Sequence, residues 1–300
     1  MSMRGQTDAA FLQAAVCLPP KLSDAAAALD GQAEIEELRL RAGRPPWIKM
    51  AEGERPTALP VLTADELRET LSRAARYSVH SYAESLKNGF VTLAGGHRLG
   101  VCGTAVTENG VVTGVRGISS LNLRVARQIG GAGAEISLMR GGRPHSTLLL
   151  SPPGFGKTTL LRELIRRTSE MDVTVGVADE RCEIAALCDG VPQFDLGPCT
   201  DVIEGCGKRD AALMLLKTMS PALLALDEIT APGDMEAVSL CAHCGVAVLA
   251  SAHAASRQDL SRRALYRQLL ELHLFEQMVV IGMENGIRTY KIEQWEGKIC

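Results

Sequence analysis

The stretch HSTLLLSPPGFGKTTLLRELI, from His145 to Ile165, constrains this chain more than any other. A continuous apolar run, Thr147 to Leu150, enters a glycine-containing loop, and an amphipathic run leaves it. Buried strand, tight loop and helix form the layout in which backbone N–H groups and a helix N-terminus grip phosphate. Gly154, Gly156, Lys157 and Thr158 match the end of the G-x-x-x-x-G-K-[ST] pattern, while Ser151 stands where its first glycine would be. Glycine permits the curl, Lys157 brings positive charge to the β- and γ-phosphates, and the Thr158 hydroxyl suits Mg²⁺. Pro153, Gly154, Phe155, Gly156, Lys157, Thr158 and Thr159 are therefore the expected nucleotide-binding residues, with ATP and Mg²⁺ as the expected ligands.

Further apolar runs end in polar side chains. In SPALLALDEI the run delivers Asp227, expected to hold the metal together with Thr158, and Glu228, expected to polarise the attacking water. In VGVADERCEI, Glu180 is expected to be a second water-orienting carboxylate; Asp179 suits either that role or the cap of a following helix. In VAVLASAHAAS the run delivers Ser251 and His253, and His253 is expected to contact the γ-phosphate and report its loss. Helical patterns over Lys208–Met219 and Asp234–His243 separate these runs. Alternating buried strand and helix predicts a doubly wound, mostly parallel sheet.

Before the cluster Ile129-Gly130-Gly131-Ala132-Gly133 the pattern differs, so that cluster is the expected hinge between two domains. Residues 1–30 read as helical, broken at Pro19-Pro20. Glu34–Met50 reads as two strands around a turn at Gly43–Pro46, with Leu38 and Leu40 facing one way and Arg39 and Arg41 the other. Thr63 with Glu66 is a capping box ahead of a helix. A short helix over Tyr82–Lys87, three short strands between Phe90 and Gly117, and a separate strand at Leu121–Val125 complete the reading.

Composition narrows the class. A hydrophobic share of 46% with 22% charged residues is that of an ordinary globular protein. There is no apolar run of ~18 residues to span a bilayer, and MSMRGQTDAAFLQAAV makes a poor signal peptide. The nine cysteines are scattered, as reduced core residues are, and Cys241–Cys244 lacks the second pair that zinc would need. A net charge of −3 without a basic aromatic stripe argues against nucleic acid as a partner.

The order of loop, acidic box, acidic strand end and histidine box resembles the type II/type IV secretion ATPases. Most closely it resembles the stage III sporulation protein AA family, through EELRLRAGRPPWIKM, GGHRLGVCGTAV, ISSLNLRVARQIGG, DERCEIA and TDVIEGCGK…TMSPALLALDEI. The resemblance implies an α/β fold: a RecA-like P-loop ATPase core at 131–300 behind a smaller N-terminal α/β domain at 1–130. It implies a homo-hexameric ring in the cytoplasm. There it would lie peripheral to the inner face of a membrane, on the mother-cell side of a spore former, and drive assembly or transport at a channel with integral membrane components. Such a ring completes its site with a cation from a neighbouring domain or subunit, and Arg98 and Arg124 are the foremost candidates. The chain departs from the family pattern at Ser151 and at Cys199, where an arginine is usual. Two other functions stand as alternatives: a nucleic-acid-dependent RecA-like ATPase with the same core chemistry, and a nucleotide-gated assembly scaffold that binds ATP without much hydrolysis.

Overall fold

A computed structural model describes residues 3–75 and 89–295; the expected helix at Tyr82–Lys87 lies outside them. The chain divides into two compact units, Met1–Arg127 with Leu187–Gln193, and Gln128–Ala186 with Phe194–Cys300. The first unit thus recovers a seven-residue excursion from the second half of the chain, which no local sequence signal marks.

In the first unit, α1 (Met3–Ala15) and α2 (Pro20–Ala27) flank the break at Pro19-Pro20. Next come β1 (Glu37–Arg41), β2 (Trp47–Met50), β3 (Gly53–Pro56) and α3 (Ala64–Ala74). The Thr63 hydroxyl accepts from the Glu66 amide at 3.1 Å while the Glu66 carboxylate accepts from the Thr63 amide at 2.8 Å, the reciprocal cap read from sequence. β4 (Phe90–Thr92), β5 (Arg98–Glu108) and β6 (Val111–Arg124) follow. The sheet order is β3-β2-β1-β6-β5-β4, antiparallel throughout. The separate strand expected at Leu121–Val125 is instead the end of β6, because the pairing with β5 slips at Cys102/Thr104 and resumes without breaking the strand. Leu38, Leu40, Leu99, Leu121 and Leu123 are fully or almost fully buried, together with Phe11, Leu18 and Leu67 of the helical layer. The opposite face keeps the alternate, polar residues, as a period of two requires.

The second unit begins with a two-stranded ribbon, β7 (Met139–Arg140) and β8 (Arg143–Pro144). Its main elements are β9 (Thr147–Ser151), α4 (Lys157–Ser169), β10 (Val175–Asp179), β11 (Thr200–Glu204), α5 (Lys208–Thr218), β12 (Leu223–Glu228), α6 (Pro232–His243) and β13 (Ala247–His253). Two short helices, α7 (Arg257–Ser261) and α8 (Ala264–Glu271), precede the hairpin β14 (Gln277–Glu284) and β15 (Ile287–Gln294). The sheet runs β11-β10-β12-β13-β9-β14-β15, parallel except for the β14–β15 pair. Every residue of β9 and β10 is buried, which explains why these strands read as unbroken apolar runs. Leu148, Leu150, Leu224 and Leu226 pack with Ala212, Leu215, Val238 and Cys241 of α5 and α6. α4 lies against β9, β10, β12 and β13. The glycine cluster leading into this unit ends tied to it, since Arg167 of α4 donates to the Gly133 carbonyl at 2.8 Å.

Candidate functional site

The C-terminal ends of parallel strands in an open α/β sheet gather loops at one edge, where ligands bind. In this protein β9, β12 and β13 end side by side there. They line a cavity of about 390 Å³ with Pro152, Gly154, Gly156, Lys157, Thr158, Thr159, Arg181, Glu183, Asp227, Glu228, His253 and Arg288. Gly154 at φ 81° and Gly156 at φ 89° occupy the left-handed region, so the curl of the loop needs glycine at both. Ser151 still belongs to β9 and has no such angle; its hydroxyl donates to the Pro152 carbonyl at 2.8 Å. A glycine is not required there, which accounts for the departure. Cys199 lies ahead of β11, where its amide donates to the Ser169 hydroxyl at 2.6 Å and its carbonyl accepts from Val175.

Lys157 opens α4 and is only 8% exposed. Burial pushes its ammonium pKa down, against the pull of Glu228 and Asp227. Its Nζ lies 2.6 Å from His253 Nδ1, and His253 Nε2 lies 3.0 Å from Glu228 Oε2. An ammonium has only donors, so the ring accepts from Lys157, and its Nδ1 also lies 3.3 Å from the Ser151 carbonyl. Arg181 also reaches Glu228, at 3.5 Å. The expected loop lysine, water-polarising carboxylate and histidine are thus one connected chain.

Asp227, 4% exposed, is pushed up to about 6, chiefly by burial and then by the like charges of Glu183 and Asp179. The charge of Lys208 pulls the other way but only partly offsets these effects. A divalent ion offsets such a site, and Thr158 lines the same cavity. One hydroxyl and one carboxylate, with phosphate oxygens and water, suit Mg²⁺, which rarely uses an all-protein cage. Among the described residues no group of three or more His, Cys, Asp or Glu side chains is placed to hold a metal. Cys241 is buried in the core while Cys244 is exposed, in keeping with packing rather than ligation.

Two residues of the acidic box are placed differently from the expectation. Glu180 does not line the cavity: its Oε2 takes Nζ of the buried Lys208 at 2.5 Å, and Lys208 also meets Asp234 at 3.5 Å. Glu183 lines the cavity in its stead. The cause is the loop. Asp179 accepts from the amides of Glu183, Ile184 and Ala185 at 2.8–2.9 Å, and Cys182 adopts φ 54°. The chain folds back over Asp179, which caps this turn rather than a helix. Burial raises the Asp179 pKa despite those three bonds.

Arg98 and Arg124 lie in the first unit, opposite each other across β5 and β6. Arg124 is opposite Glu37, and Glu37 opposite Lys49. Burial works to raise the Glu37 pKa, but hydrogen bonds from Arg39 and Asn122 and the charges of Arg39 and Lys49 hold it below the usual range. Arg124 Nε lies 3.7 Å from Glu37, and the Arg98 guanidinium sits 4.0 Å above the Phe90 ring. One carboxylate thus anchors a face carrying Arg39, Lys49, Arg98 and Arg124.

Parallel sheet, glycine-curled loop and acidic strand end define the P-loop ATPase fold. Known structures agree: the chain superposes on the pilus retraction motor PilT, solved with bound ADP, with a TM-score of 0.58 at 14% identity, over 88% of this chain and 80% of that one. The ATPase DotB of Legionella pneumophila gives 0.54 at 12% identity, over 86% and 76%. Sequence is more specific. The profile of the family Sporulation stage III, protein AA, matches residues 25–293, and stage III sporulation protein AA of Bacillus subtilis (strain 168) is 37% identical over 281 residues, 91% of each chain. The chain belongs to the stage III sporulation protein AA family.

Proposed function

We propose that this protein is a Mg²⁺-dependent ATPase whose turnover drives assembly or transport at a sporulation-specific, secretion-like channel. The carrying observation is the Lys157–His253–Glu228 chain beside the buried Asp227. In this reading the amides of Gly154–Thr158 and the Lys157 ammonium hold the phosphates. Thr158 and Asp227 would hold Mg²⁺, which would neutralise phosphate charge. Glu228 orients the attacking water, aided by Glu183 in the position that sequence alone gave to Glu180. His253, between Lys157 and Glu228, senses whether the γ-phosphate has drawn Lys157 away.

A ring ATPase completes such a site with a cation from a neighbouring subunit. A homo-hexamer would supply it from the basic sheet face of a neighbour, with Arg98 and Arg124 in the lead. The ring would act in the cytoplasm on the inner face of a membrane, on the mother-cell side, docked on integral membrane components. Among the described residues no helix is long and apolar enough to cross a membrane itself.

Glu228→Gln is the test. It should keep ATP affinity while slowing phosphate release by roughly 100-fold or more. Turnover equal to that of the wild type would remove Glu228 from the chemistry and favour a nucleotide-gated scaffold.

A further inference from the structure

β14 pairs with the loop-bearing strand β9 only from Gln277↔Thr147 to Val280↔Leu150. It then runs on through Glu284, past the end of β9, and turns at Asn285-Gly286. Both turn residues have positive φ, 51° and 77°, the geometry of a two-residue hairpin. The return strand β15 places Arg288 opposite Met283, and so brings a guanidinium from the chain's far end onto the phosphate loop. Arg288 Nε donates to the Phe155 carbonyl at 3.1 Å, and the side chain lines the nucleotide cavity. A Cβ on Gly156 would lie 2.8 Å from that Nε, so the missing side chain gives the guanidinium its room.

The sheet order decides from which flank this arginine meets the loop. Glu228 and His253 stand on β12 and β13, on one flank of β9, whereas β14 and β15 lie on the other. Glu228 and His253 therefore reach the cavity from the first flank, and Arg288 reaches the loop from the second. Its bond to Phe155 uses one of five N–H donors and leaves the planar fork that matches phosphate oxygens.

We infer that Arg288 is a nucleotide-binding residue that holds the α- or β-phosphate, and so grips ADP and ATP alike. This rests on the proposed ATPase reading and adds a contact outside the loop and the acidic strand ends.

The test is equilibrium titration of the full chain with ADP and with Mg·ATP, using wild type, Arg288→Ala, Arg288→Gln and Arg288→Lys, each checked for an unchanged unfolding temperature without nucleotide. Arg288→Ala and Arg288→Gln should weaken both ligands by about tenfold, as expected for loss of a charge-assisted bond. Arg288→Lys should recover most of that loss, since the ammonium keeps the positive charge. Wild-type affinity in Arg288→Gln, which keeps a donor for Phe155 but no charge, would show a loop brace and overturn the inference. Loss of ATP affinity alone, or of turnover without affinity, would overturn it too. A wild-type chain that binds neither nucleotide would overturn both this and the ATPase reading.

Discussion

The Lys157 ammonium rests 2.6 Å from Nδ1 of His253, and the same imidazole is 3.0 Å from Glu228 through Nε2. The cation meant for phosphate and the carboxylate meant for water are therefore bridged by one ring. Nucleotide must compete with His253 for Lys157. Lys157→Ala should lower ATP affinity by roughly 100-fold or more. His253→Ala should leave ATP affinity equal or tighter while lowering turnover. Titration and steady-state kinetics on both variants check this pair, and weakened ATP binding in His253→Ala would contradict the competition.

Two glutamates three residues apart should behave in opposite ways. Glu183→Gln should lower turnover by about tenfold or more with ATP affinity kept, because its carboxylate lines the cavity. Glu180→Gln should keep turnover within about threefold but unfold more easily, because among the described residues it leaves the buried Lys208 with Asp234 as its one ion-pair partner. Kinetics and thermal unfolding on the two variants decide it. The reverse assignment would restore Glu180 to the chemistry.

Asp227 gives a pH signature. Its folded pKa of about 6 stands above the unfolded value near 3.8, so the native state holds the proton more tightly. The associated stability is present below pH 4 and lost as pH rises through about 6, a difference of up to about 3 kcal/mol. Without nucleotide, Asp227→Asn should thus be more stable than wild type at pH 8, with the gap closing at pH 4. Mg·ATP should stabilise wild type at pH 8 and leave the variant almost unchanged. Unfolding scans at the two pH values measure both effects, and equal stabilisation of the two proteins by Mg·ATP would take the metal away from Asp227.

The basic face of the first unit makes a separate prediction. Arg98→Ala and Arg124→Lys should keep ATP affinity while lowering turnover by roughly tenfold or more, the behaviour of an arginine that stabilises transferred charge. Mixing either variant with Glu228→Gln should restore part of the activity, since each subunit would bring what the other lacks. Unaltered turnover in both single variants would leave this face to structure alone.

Much of this was legible in the sequence because burial writes itself plainly in parallel strands. β9, β10, β12 and β13 are buried on both faces, so their apolar runs and the polar residues that end them fixed the order of the site. β11 was not legible: all five of its residues are half-buried at the sheet edge, and TDVIE carries neither a run nor an alternation. The Asn285-Gly286 turn between two mixed strands was a readable hairpin signal that the α/β alternation overshadowed. Glu183 escaped because a backbone reversal at Cys182, not residue spacing, chooses which glutamate faces the cavity. Arg288 escaped because it lies over a hundred residues from the loop it touches, and only the pairing of β14 with β9 brings it there.

One triphosphate and its metal should sit between the 154–158 loop and the Asp227–Glu228 pair. A structure solved with Mg²⁺ and a non-hydrolysable ATP analogue tests it most directly. Phosphates should lie within the Gly154–Thr158 curl and the cation between Thr158 and Asp227, with Lys157 turned from His253 to the γ-phosphate. An analogue bound elsewhere, or a Lys157 still resting on His253 beside it, would contradict it.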